Sequence, residues 1–337
     1  MKITGISIHQ PVGLFRLLTD EGLEGWCTGV EAAFSQHCLD QMASVVIDQN
    51  PFNRERLWQE LLRVDRENYT TLRGYIDIAI WDLMAKSIGI PVYRFINGFR
   101  DRVPVYKRGQ IGLLPDQVIE EALQVKDEGY LGYKVSMHGR IERVVGLIGD
   151  LREAVGPDFH LIFDGRGQFI VADAIKVGRA LDKMNFYWFE QPRPMNDTNG
   201  GKQVADNIDT PITVEVTTPL EASQVMSIQS ADHIRTGMPY SGGFTDVLKI
   251  ARCTEAFGAF CHLDGPGVCH GFAHLHLLGA VKNAPFFEVT QTFTMSPIIK
   301  NPWRIKAGYI HLPECPGLGV DIDWNMVNDQ TTQVIKS

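Results

Sequence analysis

Residues 160–215 repeat one phrase three times: His160-Leu161-Ile162-Phe163-Asp164, then Tyr187-Trp188-Phe189-Glu190, then Pro211-Ile212-Thr213-Val214-Glu215. Each is a short apolar run that stops at a carboxylate, the pattern of a buried parallel strand presenting its last side chain at the mouth of a barrel. The acids recur roughly every 25 residues, a little under one strand–helix unit of a typical barrel. Three negative charges around one pocket repel one another unless a cation sits among them, and ligands that are all oxygen favour Mg²⁺ or Mn²⁺ over Zn²⁺. The plain alternative is three acids on exposed turns.

On either side the same alternation continues. Val103-Pro104-Val105-Tyr106 and Leu131–Val135 read as earlier strands. A helix carrying Ile141, Val144, Val145, Ile148 and Leu151 follows, closed by Gly156-Pro157, and another carries Ala174, Val177 and Leu181. Beyond Glu215 the pattern runs through Ile234 and Ala259-Phe260 to Phe286-Phe287-Glu288, making eight strand candidates from Val103 onward. A closed α/β barrel fits that count better than an open doubly wound sheet. Residues 1–30 alternate instead like antiparallel strands, and Leu72, Ile76, Ala79, Ile80, Leu83 and Met84 line one face of an amphipathic helix that Gly89 and Pro91 bring to a stop. The expected division is an α+β domain over 1–102, completed by a returning tail at 295–337, and a barrel over 103–294.

The chain has 337 residues, 44% of them hydrophobic, enough to fill both cores. A formal net charge of −8 without a basic tract excludes nucleic acid and anionic membrane as expected partners and points to a small molecule. No uninterrupted apolar run is long enough to span a bilayer. Six scattered cysteines with no C-x-x-C pair, and an N-terminus without a signal-peptide core, predict a reduced, cytoplasmic protein. The sequon at Asn68 is therefore expected to be idle.

Together these segments resemble the enolase superfamily, in its mandelate racemase and muconate lactonizing enzyme branch. The residues that carry the resemblance are Ile76 to Asp82 with Lys86, Gly89 and Pro91; Gly129-Tyr130 with Lys134; Asp164; Phe189-Glu190-Gln191-Pro192; Glu215; Ser241-Gly242-Gly243; His262; Leu275-His276-Leu277; and Glu288. The resemblance implies a (β/α)₇β TIM-like barrel under an α+β capping domain. It implies one Mg²⁺ per active site, with Mn²⁺ as the alternative ion, on Asp164, Glu190 and Glu215. It also implies removal of the proton α to a substrate carboxylate, and a homo-oligomer.

Departures from the family pattern shape the chemistry. Where relatives carry Lys-x-Lys, the second lysine being the base, this chain reads Lys134-Val135-Ser136, and a serine hydroxyl cannot be that base unaided. Lys134 is then a base of lowered pKa, a contact to the substrate carboxylate or metal, or a structural residue. His262 would be the racemase-type histidine, yet its usual aspartate partner is replaced by Gly237, leaving Asp264 as a substitute; the bland reading is a histidine at a strand end. Arg166 and Arg235 are candidates to pair with a second substrate carboxylate or a polyol oxygen, with a surface or ion-pair role the equal alternative for each, and Ser136 and Asp264 are further candidates for substrate contact. The segment from Gln10 to Phe15 is short where relatives carry a long mobile lid. His270, His274 and His276 with Cys261 and Cys269 suggest zinc only weakly, since no H-E-x-x-H glutamate accompanies them.

With at most one complete acid/base group, elimination is more economical than racemisation. The expected function is dehydration of a hydroxy acid such as an acid sugar to a 2-keto-3-deoxy acid. In it His262 serves as acid/base, Lys134 and Arg166 hold the carboxylate, and Glu288, if protonated, donates to the enolate oxygen. A racemase, epimerase or cycloisomerase on the same metal site, and a non-catalytic metal-binding descendant, are the alternatives.

Overall fold

A computed structural model describes residues 1–30, 36–64, 70–238, 240–266, 269–291 and 293–337, without the side chains of 37 and 38. Asn68 of the sequon lies outside them. Three antiparallel strands come first, β1 (Ile3–Gln10), β2 (Leu14–Thr19) and β3 (Glu24–Thr28). Helices α1 (Gln36–Val46), α2 (Arg54–Val64), α3 (Thr70–Ser87) and the short α4 (Val92–Phe95) follow.

Alternation then begins with β4 (Arg102–Arg108), α5 (Pro115–Asp127), β5 (Gly132–Val135), α6 (Ile141–Val155), β6 (His160–Asp164) and α7 (Val171–Lys183). It continues with β7 (Trp188–Glu190), α8 (Thr198–Ala205), β8 (Ile212–Glu215), α9 (Pro219–Ile228), β9 (His233–Thr236) and α10 (Phe244–Ala256). The last members are β10 (Cys261–Leu263), α11 (Phe272–Ala280) and β11 (Phe287–Thr290). The tail adds β12 (Ile305–Lys306), β13 (Tyr309–His311), α12 (Trp324–Gln330) and β14 (Gln333–Lys336).

Among the described residues, β4 to β11 make eight parallel strands in the order β11-β4-β5-β6-β7-β8-β9-β10, with one or more helices returning each strand to the next. This is the (β/α)₇β arrangement under a smaller α+β cap. Between β10 and β11 no ladder forms among the described residues; the Cys261 N–H donates at 2.8 Å to the carbonyl of Asn283, in the segment leading into β11. Local chemistry sets the element ends. Thr218 accepts from the Glu221 N–H while the Glu221 carboxylate accepts from the Thr218 N–H at 3.1 Å, a reciprocal cap that starts α9 at Pro219. No helix among the described residues is long and apolar enough to cross a membrane.

Helix α3 differs from the one-sided helix that the apolar spacing predicts. Leu72 through Ala85 are all buried, including Arg73, Asp77 and Asp82. The helix lies between the first sheet and α10, so its polar face is covered too, and every buried charge on it has a partner. Asp77 accepts from the Thr245 N–H at 2.9 Å and its hydroxyl at 2.5 Å, Arg73 pairs with Asp246 at 2.5 Å, and Asp82 takes Lys86 at 2.5 Å. The bonds of Asp77 and Arg73 to α10 dock the cap on the barrel, while the Asp82–Lys86 pair lies within α3. In the tail, β14 adds an edge to the first sheet beside β1, whereas β13 runs antiparallel to the start of β4 at the barrel. The β1–β2 connection is a tight turn closed by the Gly13 N–H on the carbonyl of His9 at 2.9 Å.

Candidate active site

Asp164, Glu190 and Glu215 are the last residues of β6, β7 and β8, and parallel register sets other expected residues beside their neighbours. Asp164 on β6 stands beside Glu190 on β7, Glu215 on β8 beside Arg235 on β9, Arg235 beside His262 on β10, and Glu288 on β11 beside Tyr106 on β4. What joins them is a network of ion pairs. Glu190 is fully buried, and both its oxygens are occupied. Its Oε1 accepts from Lys134 Nζ at 3.0 Å and Arg235 Nη1 at 2.7 Å; its Oε2 accepts from Lys134 Nζ at 3.3 Å and the Trp188 indole N–H at 3.2 Å.

Lys134 also donates to Glu288 Oε2 at 2.7 Å, an oxygen that takes the Tyr106 hydroxyl as well. Arg235 reaches further: Nη1 lies 3.7 Å from Glu215 Oε2, while Nη2 pairs with Asp264 and lies 3.5 Å from Glu288 Oε1.

This electrostatic setting decides which groups can exchange protons. Burial and Arg235 push the Lys134 ammonium down, but Glu190, Glu288 and Asp164 outweigh them and hold it above its ordinary range. As arranged here, Lys134 is the cation shared by Glu190 and Glu288. Burial would raise Glu288, yet Lys134, Arg235 and the Tyr106 hydroxyl hold it below the usual carboxylate range. As arranged here, it accepts hydrogen bonds from Lys134 and the Tyr106 hydroxyl. Burial raises the Glu215 carboxyl, against the pull of Arg235.

His262 is buried in the barrel interior, stacked on Trp188 with ring centroids 4.1 Å apart. Among the described residues neither of its ring nitrogens has a hydrogen-bond partner. Burial, with the nearby His233, Arg235 and Lys134, holds it well below the ordinary histidine range, so it is neutral. Asp264 does not replace the missing dyad aspartate, because it is taken by Arg235 and by the Tyr240 hydroxyl at 3.3 Å. A Cβ at Gly237 would stand 2.7 Å from that hydroxyl, so Tyr240 occupies the space into which a side chain at 237 would project.

Ser136 donates its hydroxyl to the Asp164 carbonyl at 3.0 Å, tying β5 to β6. Arg166 is exposed, with its φ at 51° and its backbone N–H on Asp164 Oδ1 at 2.9 Å. Tyr106, Trp188 and Tyr240 belong to the site without having been singled out for it. Strand parity marks Trp188, which falls in step with Glu190 on β7, and Tyr106 stands opposite Glu288 in the β4–β11 register.

Asp164, Glu190 and Glu215 have the donor chemistry of a hard divalent ion, but they do not close around a common point. Among the described residues no group of three or more His, Cys, Asp or Glu is gathered to hold a metal ion. That covers the zinc alternative as well: His274 Nδ1 bonds the Pro266 carbonyl and His276 Nδ1 accepts from the Tyr93 N–H. For the three acids the physical reason is Glu190, each of whose oxygens already accepts two hydrogen bonds from groups of the chain itself. As arranged, the residues do not fit the ion.

Comparison with known proteins gives the lineage. Residues 2–97 match the model for the mandelate racemase / muconate lactonizing enzyme N-terminal domain, and residues 117–326 match the enolase C-terminal domain-like model. The chain belongs to the enolase superfamily. Within that superfamily it is similar to the L-talarate/galactarate dehydratase of Salmonella typhimurium, 29% identical over 83% of this chain and 71% of the relative. It is also similar to the N-succinyl-L-Arg/Lys racemase of Bacillus cereus, 26% identical over 96% of this chain and 90% of the relative. A solved D-glucarate dehydratase from Agrobacterium tumefaciens, complexed with magnesium, superposes with a TM-score of 0.88 at 26% identity, covering 99% of this chain and 100% of that one.

Proposed function

We propose that this chain is a lyase that removes the proton α to the carboxylate of a small hydroxy acid, of the acid-sugar class, and expels the β-hydroxyl as water to leave a 2-keto-3-deoxy acid. The observation that carries this reading is the pair Lys134 and Arg235, two buried cations held by carboxylates at the C-terminal ends of the parallel strands. Breaking the α C–H bond places negative charge on the substrate carboxylate. Preoriented cations in low-dielectric surroundings stabilise such charge far better than water does.

His262 is the acid/base in this reading. It is neutral and its nitrogens are uncommitted, so one group can take the α-proton and return it to the departing hydroxyl. Lys134, tied to both Glu190 and Glu288, is read as a cation rather than a second base, which favours elimination over two-base racemisation. Arg166, exposed beside Asp164, is the side chain for a second carboxylate or a polyol oxygen. A homo-oligomer whose neighbouring subunit covers the mouth fits the tight β1–β2 turn, and light scattering on the purified chain checks it.

The test is a library of acid sugars, in both stereochemical series, assayed for 2-keto-3-deoxy products. His262→Asn should cost about 100-fold or more in turnover with an unchanged thermal midpoint. Absence of both turnover and solvent-deuterium exchange across the library refutes the proposal. The racemase relative keeps an isomerase as the second reading; its signature is deuterium entering the α-position without loss of water.

A further inference from the structure

Arg235, one of the two cations of the proposed reaction, also stands where a divalent ion would have to sit. Arg235 is buried on β9, and its guanidinium Nη1 lies 2.7 Å from Glu190 and 3.7 Å from Glu215, two of the three acids that would have to share a divalent ion. Lys134 and Trp188 take the remaining acceptor positions of Glu190. An ion such as Mg²⁺ binds oxygen at about 2.0–2.1 Å, and because Glu190 Oε1 already accepts from Lys134, the ion would compete with the guanidinium for the remaining acceptor direction of that oxygen. Arg235 also has an outer partner, Asp264, a third exposed at its side chain, on which it could remain anchored after leaving Glu190.

We propose that Arg235 is the built-in counter-cation of this site, and that a divalent ion binds only by displacing it. The chain thereby neutralises its own acid cluster, and its affinity for the ion is set by an exchange of one cation for another. This inference rests on the reading of the strand ends as the active site. Its test does not use turnover.

Chain stripped with a chelator is titrated with MgCl₂ by calorimetry and by thermal denaturation, as the unmutated protein and as Arg235→Gln. The expected result is that R235Q binds Mg²⁺ at least about tenfold more tightly, and that the gain disappears in R235Q with Glu190→Gln. Equal affinity in a cooperatively folded R235Q overturns the inference. Should R235Q fail to fold, the arginine side-chain ¹⁵N spectrum of the unmutated chain decides. Displacement of the Arg235 Nε–H resonance as Mg²⁺ saturates supports the exchange, and saturation with that resonance unmoved overturns it. Tight binding beside an unmoved arginine would leave the dehydratase reading standing, whereas a library without turnover or exchange would sink that reading and leave the cation exchange intact.

Discussion

Replacing Lys134 by methionine tests the ion-pair frame directly. The ammonium is fully buried between Glu190, at 3.0 and 3.3 Å, and Glu288, at 2.7 Å. The methionine side chain would keep most of the apolar stem and leave two buried carboxylates one cation short. Removing one partner of a buried pair costs about 3–5 kcal/mol, because the remaining charge stays desolvated. Arg235, Tyr106 and Trp188 still donate to the two acids, which puts the expectation at about 3 kcal/mol, the lower end of that range. Lys202→Ala is the control: its pair with Asp206 at 2.9 Å has side chains 40% and 57% exposed, and such pairs contribute about 0–1 kcal/mol. Urea unfolding at neutral pH reads both from the shift in midpoint at constant slope. The double variant Lys134→Met with Glu288→Gln should recover at least about 1 kcal/mol, the coupling expected of groups in contact. A loss for K134M no larger than that of the control, or no recovery in the double variant, would show that the frame does not hold charge as described.

Acid should destabilise the chain through His276, which burial lowers to about 4 from an ordinary 6.5. Between those values the folded state binds fewer protons than the unfolded one, so stability is lost as pH falls from about 6.5 to 4. The contribution is about 3 kcal/mol, and His276→Gln should flatten that part of the denaturation-midpoint profile; an unchanged profile refutes the assignment. Gly243→Ala should destabilise by at least about 2 kcal/mol: its φ is +91°, and the new Cβ would stand 2.5 Å from Asp77 Oδ2, which accepts from the Thr245 N–H. Differential scanning calorimetry checks it, with an unaltered midpoint as the contrary result.

The barrel was legible because strands buried on both faces appear as unbroken apolar runs, and the acid ending each of the three quoted phrases marks where its strand reaches the mouth. Leu161–Asp164, Trp188–Glu190 and Ile212–Glu215 lie where those runs place them. Helix α3 was less legible, since periodicity reveals the face turned to the sheet but not the later covering of the opposite face by α10. Arg235 was recognised as facing the pocket, but its partners come from β7, β8, β11 and the loop after β10, and no local pattern ranks a substrate carboxylate against Glu190 as its anion. Similarly, Gly237 could be read as a missing aspartate. That the Tyr240 hydroxyl fills the space is a spatial contact which the run of residue types does not reveal.

Strand β14 has a consequence for the order in which the protein can be completed. Ile335 sits opposite Ile8, and the Ile6 N–H donates to the carbonyl of Ser337 at 2.9 Å, so one border of the opening sheet is supplied by residues that follow every barrel strand in the chain. During synthesis that border waits, unpaired, while all eight barrel strands emerge. The cap is thus not a detachable cassette: expressed as residues 1–102 it would present a raw β-edge, and self-association through that edge is the outcome to expect.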